Sequence, residues 1–162
     1  MSKVAFFCFF VKLSGLLLTN APRTTTLIIV VENKKAVIIT DGTGPIQEMA
    51  GSIAAIVGGY QGYVTAVVPA ESFSGVDLLP AHAVFLGCES PKPPSFQYIE
   101  ALFKHINLAG RSCGVFSSNT KTLKYLSTLI RDCESTVTEP FMAKGGAAGR
   151  NELKKWIKGI LK

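Results

Sequence analysis

The sequence contains few residues of the kinds that build metal sites or acid–base catalytic sites. Only two histidines are present, His82 and His105, and they lie far apart in the chain. The four cysteines are Cys8, Cys88, Cys113 and Cys133. Their spacing matches neither a C-x-x-C redox pair nor a zinc-ligand pattern. We therefore predict no metal site, no catalytic acid or base, and free thiols in a reducing, cytoplasmic compartment.

Clusters of basic residues are also absent. The chain has a formal net charge of +6, yet it has no run of five or more basic residues and no alternation of basic with aromatic residues. A basic chain can contact nucleic acid, anionic lipid or an acidic protein, but nucleic-acid surfaces usually concentrate their charge. We interpret the excess, much of it in the segment 154–162, as a solvated basic face, and we predict no nucleic-acid partner.

Long apolar runs are missing as well. Residues 4–11 and 13–18 are almost wholly apolar, but Lys12 separates them, and neither reaches the roughly 18 residues of a membrane-spanning helix. Residues 1–31 therefore allow three interpretations: a signal peptide, a membrane anchor, or an apolar leader that results from a wrongly assigned start codon. We expect membrane contact only if this extension is native, and we expect residues 32–162 to form the folded domain.

Strand and helix patterns alternate through the rest of the chain. This alternation is typical of a three-layer α/β domain, in which helices cover both faces of a parallel sheet. The apolar periodicity predicts strands at about 35–40, 63–68, 83–87, 112–116 and 136–142. It predicts helices from 45 or 46 to 57 and at about 95–108, 120–132 and 151–161, with a loop or weak helix at 71–80.

The segment 40–45, Thr-Asp-Gly-Thr-Gly-Pro, joins the first predicted strand to the first predicted helix. Pro45 suits the first turn of a helix, where no intrahelical partner for its missing N–H is needed. The first amides of a helix point outward without acceptors, and the helix dipole favours negative charge beside them. This turn is therefore the first place in the chain where we expect an anion-binding site.

Three segments and the closing basic helix together resemble the flavodoxin-like family over about residues 34–162. Segment 40–45 resembles its phosphate loop, 77–88 resembles its run into strand three and the flavin-facing loop, and 108–118 resembles its entry into strand four. The resemblance implies a five-stranded parallel sheet of order 2-1-3-4-5. It also implies a ligand crevice between strands one and three, and flavin mononucleotide (FMN) as the cofactor.

The resemblance further implies which residues bind FMN. The phosphate would lie on the first loop, and the isoalloxazine ring would lie between the loops after strands three and four. The implied cofactor-binding residues are Asp41, Gly42, Thr43, Gly44, Pro45, Gln47, Cys88, Glu89, Ser90, Ser117, Ser118 and Asn119. The implied function is electron transfer to or from an unknown redox partner protein, with the redox chemistry supplied by the flavin.

The sequence departs from the family pattern at two places. Asp41 and Ile46 stand where the family usually has hydroxyls, and the loop after strand three has no aromatic residue before Phe96. Lys92 in that loop has two interpretations, one near the anionic part of the flavin and the other in solvent. A second function is therefore open: a flavodoxin-like fold that has lost its cofactor and serves as a binding or scaffold module.

Other α/β families fit the sequence less well. A receiver domain needs an acidic pair after the first strand, where Asp41 stands alone, and an Asp at the end of strand three. A dinucleotide-binding domain needs the third glycine of G-x-G-x-x-G, which the segment 42–47 lacks. A hydrolase that uses Cys88 as its nucleophile would need a histidine placed beside it.

Overall fold

The computed structural model describes residues 16–17, 28–29, 33–143 and 149–161. The chain divides into two compact units, 1–32 and 33–162. In the first unit, Leu16–Leu17 pairs antiparallel with Ile28–Ile29. Most of the extension 1–31 lies outside the described residues, so its three interpretations stay predictions. Within the described part of the chain, no helix combines the length and apolar character that crossing a membrane requires.

The second unit is built on one parallel sheet. Its first four strands are β1 (Lys34–Thr40), β2 (Tyr63–Pro69), β3 (Ala81–Gly87) and β4 (Ser112–Ser117). The fifth position of the sheet holds two short strands, β5 (Thr136–Val137) and β6 (Phe141–Met142), which both pair with β4. The sheet order is β2-β1-β3-β4 followed by β5 and β6, and every pairing in it is parallel. This arrangement confirms the predicted order 2-1-3-4-5.

Strand β1 lies at the centre of the core. Its residues Ala36 to Ile39 are completely buried, because helices cover both faces of the sheet and a parallel central strand therefore has no solvent face. The side chains divide by strand alternation. Val37 and Ile39 join the apolar cluster on one face, and Ala36 and Ile38 join the cluster on the other.

Within the described residues of this unit, four α-helices form the outer layers: α1 (Gly44–Gly58), α2 (Gln97–Phe103), α3 (Thr120–Arg131) and α4 (Arg150–Ile160). The buried apolar residues of α1 and α4 belong to one apolar cluster, and those of α2 and α3 belong to the other. The helices therefore cover the two faces of the sheet in pairs, as the alternation of elements predicts.

Two elements differ from their predicted bounds. Helix α2 is shorter than the predicted 95–108, because a 3₁₀ turn over Pro94–Phe96 precedes it and the helix ends at Phe103. The predicted strand 136–142 is interrupted between β5 and β6. Pro140 lies in this interruption and has no N–H for a ladder, and the carbonyl of Glu139 accepts a 2.7 Å hydrogen bond from the indole of Trp156 instead.

Candidate functional site

The candidate site lies where the carboxyl ends of β1 and β3 meet. The chain moves from β1 to β2 on one side and continues from β3 to β4 on the other, so the sheet order reverses between β1 and β3. Such a reversal leaves a crevice outside the strand ends. The register places Thr40, the last residue of β1, beside Gly87, the last residue of β3. The loops 41–43 and 88–93 therefore begin side by side.

The carboxylate of Asp41 binds the donors of both loops. Its Oδ1 accepts hydrogen bonds from the Thr43 amide at 3.1 Å and from the Thr43 hydroxyl at 2.8 Å. Its Oδ2 accepts a 2.7 Å hydrogen bond from the amide of Glu89, which is 48 residues further along the chain. Gly42 adopts φ 81° between Asp41 and Thr43, a conformation that glycine reaches without the steric penalty of a Cβ. The Asp41 carboxylate is thus the acceptor around which the hydrogen bonds of this loop are arranged.

Few other donors remain at the start of α1. Thr43 is the N-cap residue, and its side chain makes no capping hydrogen bond to the helix. Pro45 has no N–H, and the amide of Gln47 donates to the carbonyl of Thr43 at 2.9 Å. Among the residues that the structure describes, the amides of Gly44 and Ile46 have no protein acceptor. These two N–H groups are what the helix terminus still offers to an anion.

Glu89 joins the loop after β3 to the loop after β4. Its backbone carbonyl accepts a 3.0 Å hydrogen bond from the hydroxyl of Thr122, and its Oε1 accepts a hydrogen bond from the hydroxyl of Ser118. The other carboxylate oxygen, Oε2, is buried and has no partner among the described residues. Through Asp41 and Glu89, three loops at this edge of the sheet are therefore bonded to one another.

The remaining polar residues of the loop after β4 cap helix α3. The side chain of Asn119 accepts a 2.9 Å hydrogen bond from the amide of Lys121 and is the N-cap of the helix. The hydroxyl of Ser117 is buried and accepts a 3.1 Å hydrogen bond from the amide of Asn119. Both side chains are thus engaged in the local turn, which is the usual role of Asn and Ser before a helix.

Cys88 directly precedes Glu89 and is fully buried. Burial raises the pKa of its thiol to about 12, and the negative charges of Asp41 and Glu89 add to this shift. Because the thiolate is the nucleophilic form of cysteine, a thiol in this environment is unreactive at neutral pH. Cys88 is therefore a packing residue of the apolar core.

We expect the buried thiols to be unreactive in the native protein. In a Cys8→Ser variant, Cys88, Cys113 and Cys133 are the remaining cysteines, and all three are buried with raised pKa values. A raised pKa leaves little thiolate at pH 8, so labelling by a disulfide reagent should be slow until urea unfolds the chain. Rapid labelling of Cys88 in native protein, located by peptide mass spectrometry, would contradict this expectation.

The structure brings part of the predicted site together. Asp41, Thr43, Glu89 and Ser118 form one hydrogen-bond network, whereas Lys92 lines a separate cavity between α2 and α3. The sequence reasoning missed Thr122, a fully buried hydroxyl on the apolar side of α3. A polar residue among the apolar positions of that helix was the available signal.

Neither a family model nor a curated protein matches the chain. Solved structures do match. A flavodoxin from Streptococcus pneumoniae TIGR4 is 14% identical with a TM-score of 0.64, covering 78% of this chain and 97% of that one. A flavodoxin from the domain Archaea is 18% identical with a TM-score of 0.65, covering 78% and 95%. The chain has a flavodoxin-like fold.

A third match to the flavodoxin-like fold is a Fusobacterium nucleatum flavodoxin whose structure contains flavin mononucleotide. It is 9% identical with a TM-score of 0.56, and the match covers 79% of this chain and 96% of that one. At such low identity the similarity concerns the fold alone. The roles of side chains are therefore inferred from the geometry of this chain. This chain combines the flavodoxin-like fold with a carboxylate in its first loop.

Proposed function

We propose that this flavodoxin-like domain does not hold FMN and works as a binding module. The observation that carries the proposal is the position of the Asp41 carboxylate, which binds the amide and hydroxyl of Thr43 and the amide of Glu89. The two Thr43 donors belong to the first loop, where the phosphate would lie.

The phosphate of FMN fits this loop poorly for two reasons. First, the amide and hydroxyl of Thr43 at the start of α1 are already bonded to Asp41, and Pro45 contributes no donor. Second, Asp41 adds a negative charge where a phosphate dianion would lie. Two unit charges of the same sign at about 4 Å repel by about 4 kcal/mol at an effective dielectric constant of about 20.

The loops that would hold the flavin ring also fit it poorly. It would lie between the loops after β3 and β4, but Glu89 accepts hydrogen bonds from both Ser118 and Thr122 and thereby holds these loops together. Phe96, the first aromatic residue after β3, is fully buried and has no face free for stacking. Binding of the ring would require these bonds to break.

The test is a titration of the full chain with FMN. We expect a colourless protein that leaves the fluorescence of added FMN unquenched and whose melting temperature does not rise with FMN concentration. A ligand that binds only the native state must raise that temperature, so the melting experiment detects binding independently of optical changes. A yellow protein whose absorbance survives desalting would overturn the proposal.

Electron transfer with bound FMN is the second candidate. It is favoured by the similarity in fold to flavodoxins, one of which is described as bound to flavin mononucleotide. In that case the free amides of Gly44 and Ile46 would face the phosphate, and an unidentified redox partner would exchange electrons with the flavin. The same FMN titration decides between the two candidates.

A further inference from the structure

Strand β2 forms one edge of the parallel sheet. It pairs with β1 on one side, and within the described residues no strand pairs with its other side. Proteins usually interrupt, charge or cover an edge strand, because its free backbone groups pair readily with other strands. At the opposite edge, Pro140 separates the two-residue strands β5 and β6. By contrast, β2 extends over seven residues without interruption.

The edge at β2 carries no charge. Residues 49–70, which include most of α1 and all of β2, contain no Asp, Glu, Lys or Arg. Val64 and Val67 are 45% and 40% exposed, and strand alternation places them on opposite faces of the sheet. A net charge of +6 opposes the approach of a second copy, and this repulsion is weakest at an uncharged surface. A charged partner would find no complementary charge on this strand, whereas a second copy presents the same uncharged strand.

Alternate residues of β2 direct their backbone groups away from β1. At the two ends of the strand, the carbonyl of Gly62 and the amide of Ala70 are each hydrogen-bonded at 2.7 Å to backbone groups of β1. Even-numbered residues of β2 therefore face β1. Thr65 and Val67 lie between them in the alternation, so their N–H and C=O groups face the open side.

We propose that β2 pairs antiparallel with β2 of a second copy, across a two-fold axis at Ala66, so that one sheet runs through the dimer. In this register Thr65 lies opposite Val67 of the second copy, and each such pair exchanges two hydrogen bonds. Ala66 meets Ala66 of the second copy as a pair without hydrogen bonds, in which the Cα atoms are about 4.5 Å apart. The small side chain of alanine suits this close approach.

Both ends of β2 fit this register. Tyr63 lies opposite Pro69 of the second copy. The amide of Tyr63 already donates a 3.1 Å hydrogen bond to the carbonyl of Tyr60, and Pro69 has no N–H to leave unpaired. The ammonium of Lys34 lies 5.7 Å from the centre of the Tyr63 ring, and Glu71 follows Pro69 by two positions. The antiparallel orientation therefore brings a basic end of one copy towards an acidic end of the other.

Disulfide cross-linking of the full chain tests the register. In a Cys8→Ser background the other cysteines are buried. Ala66→Cys should form a covalent dimer under mild oxidation, because a Cα separation of about 4.5 Å is within the range of a disulfide. Val64→Cys is the matched control, since it is on the same face and exposed but lies opposite Val68 of the second copy, so it should cross-link about tenfold more slowly. No covalent dimer from Ala66→Cys, or an equal rate for both variants, would overturn the proposal.

Sedimentation equilibrium of the full chain tests the dimer without any cross-link. The mean mass should rise from 17.3 kDa towards twice that value with concentration. Val67→Lys places a charge on the edge and should raise the dissociation constant of the dimer by about tenfold. Val76→Lys adds the same charge at a valine that is 68% exposed outside the sheet, on the 3₁₀ turn Gly75–Leu78, and should leave the constant unchanged.

Two outcomes of the sedimentation experiment would refute the dimer. One is an equal effect of the two lysine substitutions, and the other is a monomer at every concentration. Slow hydrogen exchange at the Thr65 and Val67 amides of such a monomer would show that the chain covers this edge with its own residues. The edge shares no residue with the Asp41 and Glu89 network, so the dimer is judged independently of FMN binding.

Discussion

Replacing Gly87 by alanine should destabilise the domain by about 3 kcal/mol, because the new methyl group has no room. A Cβ at Gly87 would lie 2.2 Å from Cζ and 2.3 Å from Cε2 of Phe116, a ring that is itself fully buried. The ring must shift within a packed core or the end of β3 must move. Urea unfolding followed by circular dichroism measures the loss as a lower midpoint with an unchanged slope.

Two further variants separate this clash from a general effect of alanine. Gly51 lies in α1, and no atom stands within 4 Å of the place that its Cβ would take, so Gly51→Ala should stabilise the helix by about 0.5–1 kcal/mol. Phe116→Leu removes the ring atoms that clash, so Gly87→Ala should cost less in that background than in the natural sequence. Additive effects of Gly87→Ala and Phe116→Leu would show that the contact does not limit stability.

The close contact of Gly87 also explains how the site is placed. Because Gly87 has no side chain, Phe116 from β4 packs directly over the end of β3. The register then sets Thr40 beside Gly87, and the amide of Asp41 donates a 3.2 Å hydrogen bond to the carbonyl of Gly87. The two loops of the crevice start from a rigid platform, so a disturbance there should also alter the Asp41 network.

Sequence reasoning reached the fold because its signals are local. The buried run of β1, the amphipathic stripe of α3 and the turn after β1 can each be recognised within one segment. Their order along the chain then leaves few topologies, since crossovers between parallel strands have one preferred hand. The sheet order 2-1-3-4-5 was therefore predictable, and the structure confirms it.

The network at the crevice was not predictable, because its contacts are distant in sequence. Asp41 was visible as a departure from the phosphate-loop pattern, but its bond to the amide of Glu89 depends on the register between β1 and β3. The bond from Thr122 to Glu89 depends in addition on how α3 packs on the sheet. Tertiary placement thus turned an unusual residue into the centre of a hydrogen-bond network.

The interruption of the fifth strand also depends on a contact that is distant in sequence. Residues 136–142 have a strand-like pattern, yet Pro140 and the hydrogen bond from Trp156 to Glu139 divide them into β5 and β6. The proline can be recognised in the sequence, but the tryptophan contact comes from α4. Tertiary contacts of this kind override local strand propensity, especially at the edge of a sheet.

Replacing Asp41 by serine should increase the affinity for FMN by at least about tenfold, which corresponds to about 1.4 kcal/mol. The change removes the negative charge from the first loop and releases the amide and hydroxyl of Thr43 for a phosphate. It also supplies a hydroxyl where the flavodoxin-like family usually has one. FMN fluorescence quenching and the FMN-dependent rise in melting temperature both report the gain.

Asp41→Ser should also lower the stability of the ligand-free protein. A gain in FMN affinity together with a loss of stability makes the prediction specific. Asp41→Ser removes the acceptor of three hydrogen bonds, and a hydrogen bond to a charged group contributes roughly 1.5–3 kcal/mol. Asp132→Asn, which removes one charge at the end of α3, should change neither the FMN affinity nor the stability appreciably.

If Asp41→Ser gains no affinity for FMN, and Asp41→Ser with Glu89→Ala gains none either, then the acidic residues are not what excludes the flavin. A serine variant that binds FMN more tightly while its ligand-free form is less stable would mean that the carboxylate stabilises this fold at the expense of flavin binding.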